Sequence, residues 1–290
     1  MSDRDLPDSD IRAFSSVDAT TELAGRRARS ALSVLAACAV VVVGRPVIVT
    51  AANVDLCHDE WQSLQSLPDP LTRIHKWSEL RTKCSGSGLY EARLGTLYVL
   101  SGRYDDARTT VKAGLSLGTR YEKDLLSVSA NADMGQGKLD SASLTYQSLI
   151  QKFPDYYDGY AGAGAVKLLQ GQLDDAVKYL HEGEQHGGAH FLPIYRNLTL
   201  AYQGLRRYAD AVAAWNQAYS VDKSIVKDRE AMHAAAISYV YLGKLHAADG
   251  ALKMLFQADP EAAQDPQIHK TMTYIAGKLA EEQSGGPPKN

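Results

Sequence analysis

The chain has 290 residues, enough to bury a large core and too many for a minimal single domain. Its 31 basic and 34 acidic residues leave a net charge of -3, and setting aside residues 1–52, with six charges of each sign, leaves that balance unchanged. Without a strong basic field, nucleic acid is excluded as the expected partner, and an Ala-, Leu- and Gly-rich composition favours helix.

Residues 1–30 form a polar, mildly acidic leader that ends in Arg26, Arg27 and Arg29, and disorder is expected there. An uncharged stretch follows from Ala31 to Gly44, with four valines at Val40 to Val43. It falls short of the ~20 apolar residues that span a bilayer, and Arg45 and Pro46 interrupt its extension to Ala52. Residues 31–52 therefore read as a signal peptide, with Val49-Thr50-Ala51 before the cut, or as an uncleaved signal-anchor. Both place the bulk of the chain outside the cytoplasm, periplasmic or anchored to the inner membrane. Leu35-Ala36-Ala37-Cys38 also resembles a bacterial lipoprotein box, which implies lipidation of Cys38. A buried helix in a cytosolic protein is the remaining alternative.

The two other cysteines, Cys57 and Cys84, flank a helical pair in the region expected to be exported. In an oxidising compartment they form a candidate structural disulfide; two separate buried thiols are the alternative. Residues 53–87 read as an N-terminal helical cap or a divergent repeat. Leu56, Trp61, Leu64 and Leu67 keep a helical period, Pro68 and Pro70 interrupt it, and Asp69 is a candidate cap. Leu71, Ile74, Trp77 and Leu80 then share one face of a second helix.

From Gly88 a unit recurs five times over 88–261. Its second half reads Gly102-x-Tyr104-x-x-Ala107, Gly137-x-Leu139-x-x-Ala142, Gly171-x-Leu173-x-x-Ala176, Tyr208-x-x-Ala211 and Gly243-x-Leu245-x-x-Ala248. The alanines are spaced 35, 34, 35 and 37 residues apart. Twelve residues before each sits another small residue: Gly95, Ala130, Gly164, Thr199 and Ala236. Large residues follow each alanine by four: Val111, Tyr146, Leu180, Trp215 and Leu252. Small residues let two helices meet, and large ones fill the space to the next pair. Glycine supplies the turn between the helices, and Arg206 in the fourth unit implies a turn made otherwise. Pro154 and Pro260 end second helices.

This pattern resembles the tetratricopeptide repeat family, which implies an all-α, right-handed α-solenoid of antiparallel helix pairs. Residues 262–283 read as a C-terminal capping helix, with Ile268, Met272, Ile275 and Leu279 on one face, and 284–290 as a disordered tail.

The resemblance implies that each first helix lines a concave groove that binds a protein or peptide ligand. Its groove positions fall on Thr96, Asn131, Ala161, Ala165, Arg196, Leu200, Gln203 and His233, among others. Ala161 and Ala165 are expected to leave room for a ligand. Ala92 and Thr96 stand where a carboxylate clamp of the family needs lysine and asparagine, so that clamp is excluded. Tyr160, Tyr195, Tyr202 and Tyr239 fall on inward positions, which leaves Tyr156, Tyr157 and Tyr241 as candidate surface aromatics. His181, Glu184, His186 and His190 form a tempting metal-ligand cluster, as does His58-Asp59-Glu60, but a solvated loop and a polar helix start explain them as well. No cofactor is expected, and no phosphate loop or nucleophile elbow occurs. The expected function is a non-catalytic scaffold within an envelope or secretion assembly. A polysaccharide-associated adaptor and a metal-dependent enzyme using His181, His186 and His190 are the alternatives.

Overall fold

A computed structural model describes residues 57, 59–64, 66–67, 69–84 and 88–284. The leader, the 31–52 segment with Cys38, Leu56, His58, Pro68, Ser85 to Ser87 and the tail beyond Ser284 lie outside the described residues. Among those described, no helix is long and apolar enough to cross a membrane.

A short helical stretch at 59–64 precedes α1 (Pro70–Glu79) and a helical turn, Arg81–Cys84. Asp69 caps α1 by accepting from the Leu71 and Thr72 amides. Five helix pairs follow: α2 (Leu89–Leu100) with α3 (Tyr104–Leu115), and α4 (Glu122–Gly135) with α5 (Leu139–Lys152). Then come α6 (Tyr157–Leu169) with α7 (Leu173–Gly183), α8 (Leu192–Gly204) with α9 (Tyr208–Val221), and α10 (Arg229–Tyr241) with α11 (Leu245–Ala258). The last helix is α12 (Pro266–Gln283).

The turns inside the five pairs are alike. Gly102, Gly137, Gly171 and Gly243 adopt φ between 69° and 76°. Arg206 adopts the same left-handed backbone, with φ 59°, so the fourth turn is not made otherwise, as its sequence suggested. The amide after each of these residues donates back five positions, as in Arg103 to Tyr98 and Arg207 to Tyr202. A side chain at a glycine position therefore changes the local strain and not the geometry.

The packing follows the small-large rule read from the sequence. Ala107, Ala142, Ala176, Ala211 and Ala248 are all fully buried. A Cβ added at Gly164 would stand 2.7 Å from Leu180 Cγ and 3.3 Å from the Ala176 carbonyl oxygen. Gly162 has a different reason. The Tyr146 ring of α5 lies against it, and a Cβ there would stand 2.2 Å from the ring. The α6 run Gly159 to Val166 is consequently buried on every side.

The N-terminal segment packs on α2 through aromatic rings. Trp61 meets Trp77 edge-on at 5.3 Å, and Trp77 stacks on Tyr90 at 5.2 Å. Arg93 of α2 donates to the Cys57 carbonyl at 2.9 Å and lies over the Trp61 ring. Leu71 does not share the buried face of α1 with Ile74 and Trp77. It is 58% exposed, and full burial in α1 begins only at Ile74. At the other end, Ile268 and Ile275 of α12 are buried against the fifth pair, with Met272 and Leu279 partly covered.

Candidate binding surface on the inner helix layer

First helices of neighbouring units pack against one another along the whole stack, whereas second helices of neighbouring units barely touch. A stack that is tight on one side and splayed on the other must curve, so α2, α4, α6, α8 and α10 form the inner layer. Among the described residues, twelve polar or charged side chains are buried, and all but Thr110 lie on these helices or on α12. The inner layer is therefore the polar one, and buried polar groups need partners.

The richest group joins α4 to the start of α6. The Tyr156 hydroxyl lies 3.0 Å from Asp158 Oδ2 and 3.4 Å from Asp124 Oδ1. Lys123 Nζ sits 4.7 Å above the Tyr156 ring. Burial pushes the Asp158 carboxyl up to about 6; the Tyr156 hydroxyl opposes that shift and the Asp124 charge adds to it. Burial raises Asp124 as well. Next along α4, the Ser127 hydroxyl is buried and forms no hydrogen bond, although it is near enough to Tyr156 to influence its hydroxyl. Asn131 accepts a short hydrogen bond from Tyr146 of α5.

Further along, Arg196 of α8 is 4% exposed and pairs with two carboxylates of the fifth unit. Its Nε lies 2.9 Å from Asp228 Oδ2, and its Nη2 lies 2.8 Å from Glu230 Oε2. Asp228 also caps α10 by accepting from the Ala231 amide. His233 of α10 meets the Thr271 hydroxyl of α12 at 2.8 Å through Nε2. Burial pushes this imidazole down to about 4, and the Asp265 charge opposes the shift only in part.

The expected groove residues divide accordingly. Leu200 and Gln203 are half-buried and open to the inner surface. Thr96, Asn131 and Arg196 are buried, and the last two bridge helices. Ala161 and Ala165 do not leave room for a ligand; they are 1% and 5% exposed. Ala161 belongs to the core cluster that holds Ile194, Tyr195 and Leu198, and Ala165 to the one that holds Tyr146 and Val166. Close approach of adjacent first helices consumes the space that small side chains leave.

Asp124, Asp158 and Glu230 were missed as site residues. Each stands six positions before the small residue of its unit (Ala130, Gly164 and Ala236), so carrying the family mapping one turn earlier would have found them. The surface tyrosines are also committed. Tyr156 serves the carboxylates, Tyr157 meets Phe191 edge-on at 5.1 Å, and Tyr241 stacks on Tyr208 at 4.2 Å.

The histidine cluster is dispersed. His181 contacts Glu184 at 3.0 Å and the Tyr202 hydroxyl at 2.7 Å, while His186 stacks on Tyr160 at 4.8 Å. His190 is exposed. A kink at His186 and Gly187, where the backbone leaves helical angles, breaks the segment that carries these side chains. Among the described residues, no group of three or more His, Cys, Asp or Glu side chains is placed to hold a metal ion. Cys57 and Cys84 are joined as a disulfide, with Cα atoms 5.9 Å apart.

No family model matches the chain, and no curated protein matches it. Solved structures do. A thermophilic TPR protein of Thermus thermophilus is 21% identical, with a TM-score of 0.51, over 67% of this chain and 99% of that one. The pilF protein of Pseudomonas aeruginosa is 13% identical, with a TM-score of 0.53, over 69% of this chain and 93% of that one. At these identities the likeness speaks to fold alone, and it agrees with the five pairs, their turns and their small-residue contacts: the chain folds as an all-α solenoid of tetratricopeptide type.

Proposed function

We propose that this protein is a non-catalytic scaffold whose inner helix layer receives an extended segment of a partner protein. The observation that carries this reading is the distribution of buried polar groups, which concentrate on the inner layer and include an unsatisfied hydroxyl at Ser127. A curved layer of parallel helices with half-buried Leu200, Gln203, Ile237 and Val240 between polar groups suits an extended chain better than a compact small molecule. We further propose that the solenoid works outside the cytoplasm, in an envelope or secretion assembly. Two features support that placement: the basic and apolar character of residues 26–52, and the joined pair Cys57–Cys84, since disulfides persist in oxidising compartments.

Site-specific photo-cross-linking in the native cell tests the proposal. A cross-linker at Leu200, Gln203 or Val240 is expected to trap one common partner. The same cross-linker at Leu144, 68% exposed on the outer helix α5, is expected to trap none of it. Equal capture from both layers would defeat the proposal.

A further inference from the structure

The Asp124–Tyr156–Asp158 group asks for something the chain does not supply. A phenol carries one proton, so Tyr156 donates to one carboxylate at a time and turns a lone pair towards the other. Among the described residues neither carboxylate has a cation at ion-pair distance; Lys123, placed over the Tyr156 ring, favours the charge of both only from further off, as Arg93 does that of Asp124. The Ser127 side chain, only 5% exposed, reaches the neighbourhood of the Tyr156 hydroxyl, but its own hydroxyl makes no well-formed hydrogen bond. Two carboxylates that share one phenolic donor, with only the Asp124 amide added, lie beside a buried hydroxyl without a well-formed bond, and that set matches a cation with several N–H groups.

We propose that Asp124, Asp158, Tyr156 and Ser127 form a subsite for one cationic side chain, a lysine ammonium or an arginine guanidinium, of the segment bound on the inner layer. The inference rests on the scaffold reading above and adds the chemistry of the partner. The cation places its charge between the two carboxylates and donates to Ser127 Oγ, while Tyr156 keeps its bond to Asp158. Lys123 holds the neighbouring ring face and opposes a second positive charge at close range. Burial raises the Asp158 carboxyl, and an arriving cation favours its ionised form. Occupancy therefore falls as Asp158 takes up its proton below about pH 6.

Titration of the full chain with n-butylammonium chloride, followed by amide chemical shifts, tests the subsite directly. Saturable shifts are expected at Ser127, Tyr156 and Asp158, absent with n-butanol or with sodium chloride at equal ionic strength. D124N/D158N keeps the side-chain shapes and is expected to weaken amine binding at least about ten-fold. K123M leaves both carboxylates in place and is expected to tighten it about three-fold, so it judges the subsite even if the double variant does not fold. No saturable shift at these residues, unchanged affinity in D124N/D158N, or weaker binding in K123M overturns the inference. The two readings fail separately. Inner-layer cross-links without an amine response leave the scaffold standing and remove the subsite; an amine response without inner-layer cross-links does the reverse.

Discussion

Each of the five intra-unit turns rests on one residue with left-handed backbone, and four of those five are glycine. Arg206, at φ 59°, bears the steric penalty that its counterparts avoid. Arg206→Gly is expected to stabilise the fold by about 0.5–1 kcal/mol, and Gly171→Ala, at φ 76°, to destabilise it by a similar amount. Urea midpoints read both, and unchanged midpoints would mean the turns tolerate either residue. Overpacking supplies a second comparison. Ala176 and Ala161 are 0% and 1% exposed, so Ala176→Trp and Ala161→Trp are each expected to cost at least ~1–3 kcal/mol. The sequence made Ala176 legible because its partners lie within one repeat. It did not make Ala161 legible, because burial there depends on how closely the next unit approaches, and curvature leaves no mark on a single repeat.

The two ends of the stack are held by different bonds. At the N-terminus, the Cys57–Cys84 link spans 27 residues around the Trp61–Trp77–Tyr90 stack. Closing such a loop is worth about 3.5 kcal/mol in the chain-entropy model. Reduction is therefore expected to release 59–84 before the repeats open, read as early loss of tryptophan near-UV signal while helicity persists. At the C-terminus, His233 and Thr271 pin α12 to the fifth pair. The folded imidazole titrates near 4 and the unfolded one near 6.5, so the unfolded chain binds the extra proton between those values. The stability that neutral His233 contributes is complete above about pH 6.5 and is lost as pH falls towards 4, by about 2–3 kcal/mol. Asp158 runs the other way. Its carboxyl is raised to about 6, so its contribution is present below about 4 and is lost as pH rises through 6. Because the windows overlap, the test is a difference. His233→Gln keeps an amide to meet Thr271 and is expected to flatten the decline between pH 6.5 and 4, and an unaltered slope would assign that decline to other groups.

Across the whole molecule, stability is shared between units and the interfaces that join them. The period, the helix pairs and the intra-pair contacts were readable because they repeat. The acidic residues of the inner layer were not, because Asp124, Asp158 and Glu230 do different work in units with different neighbours. Asp124 and Asp158 converge on Tyr156, whereas Glu230 reaches back to Arg196. That last contact makes the junction of the fourth and fifth units a polar joint, in which a guanidinium, 4% exposed, holds two carboxylates of the next unit. Arg196→Met keeps the volume and removes the charge. Asp228 then keeps its capping bond to Ala231 but loses its cation, and Glu230, already part-solvated, loses little. The expected cost is about 3 kcal/mol, at the low end for breaking a buried pair. In a nearest-neighbour stack that loss falls on one interface, so residues 223–283 should open without residues 89–152. Amide hydrogen exchange reads this as protection lost selectively in α10, α11 and α12, with α2 to α5 unchanged. Uniform loss along the chain would mean that the solenoid unfolds as one unit and that Arg196 has no special place in joining its halves.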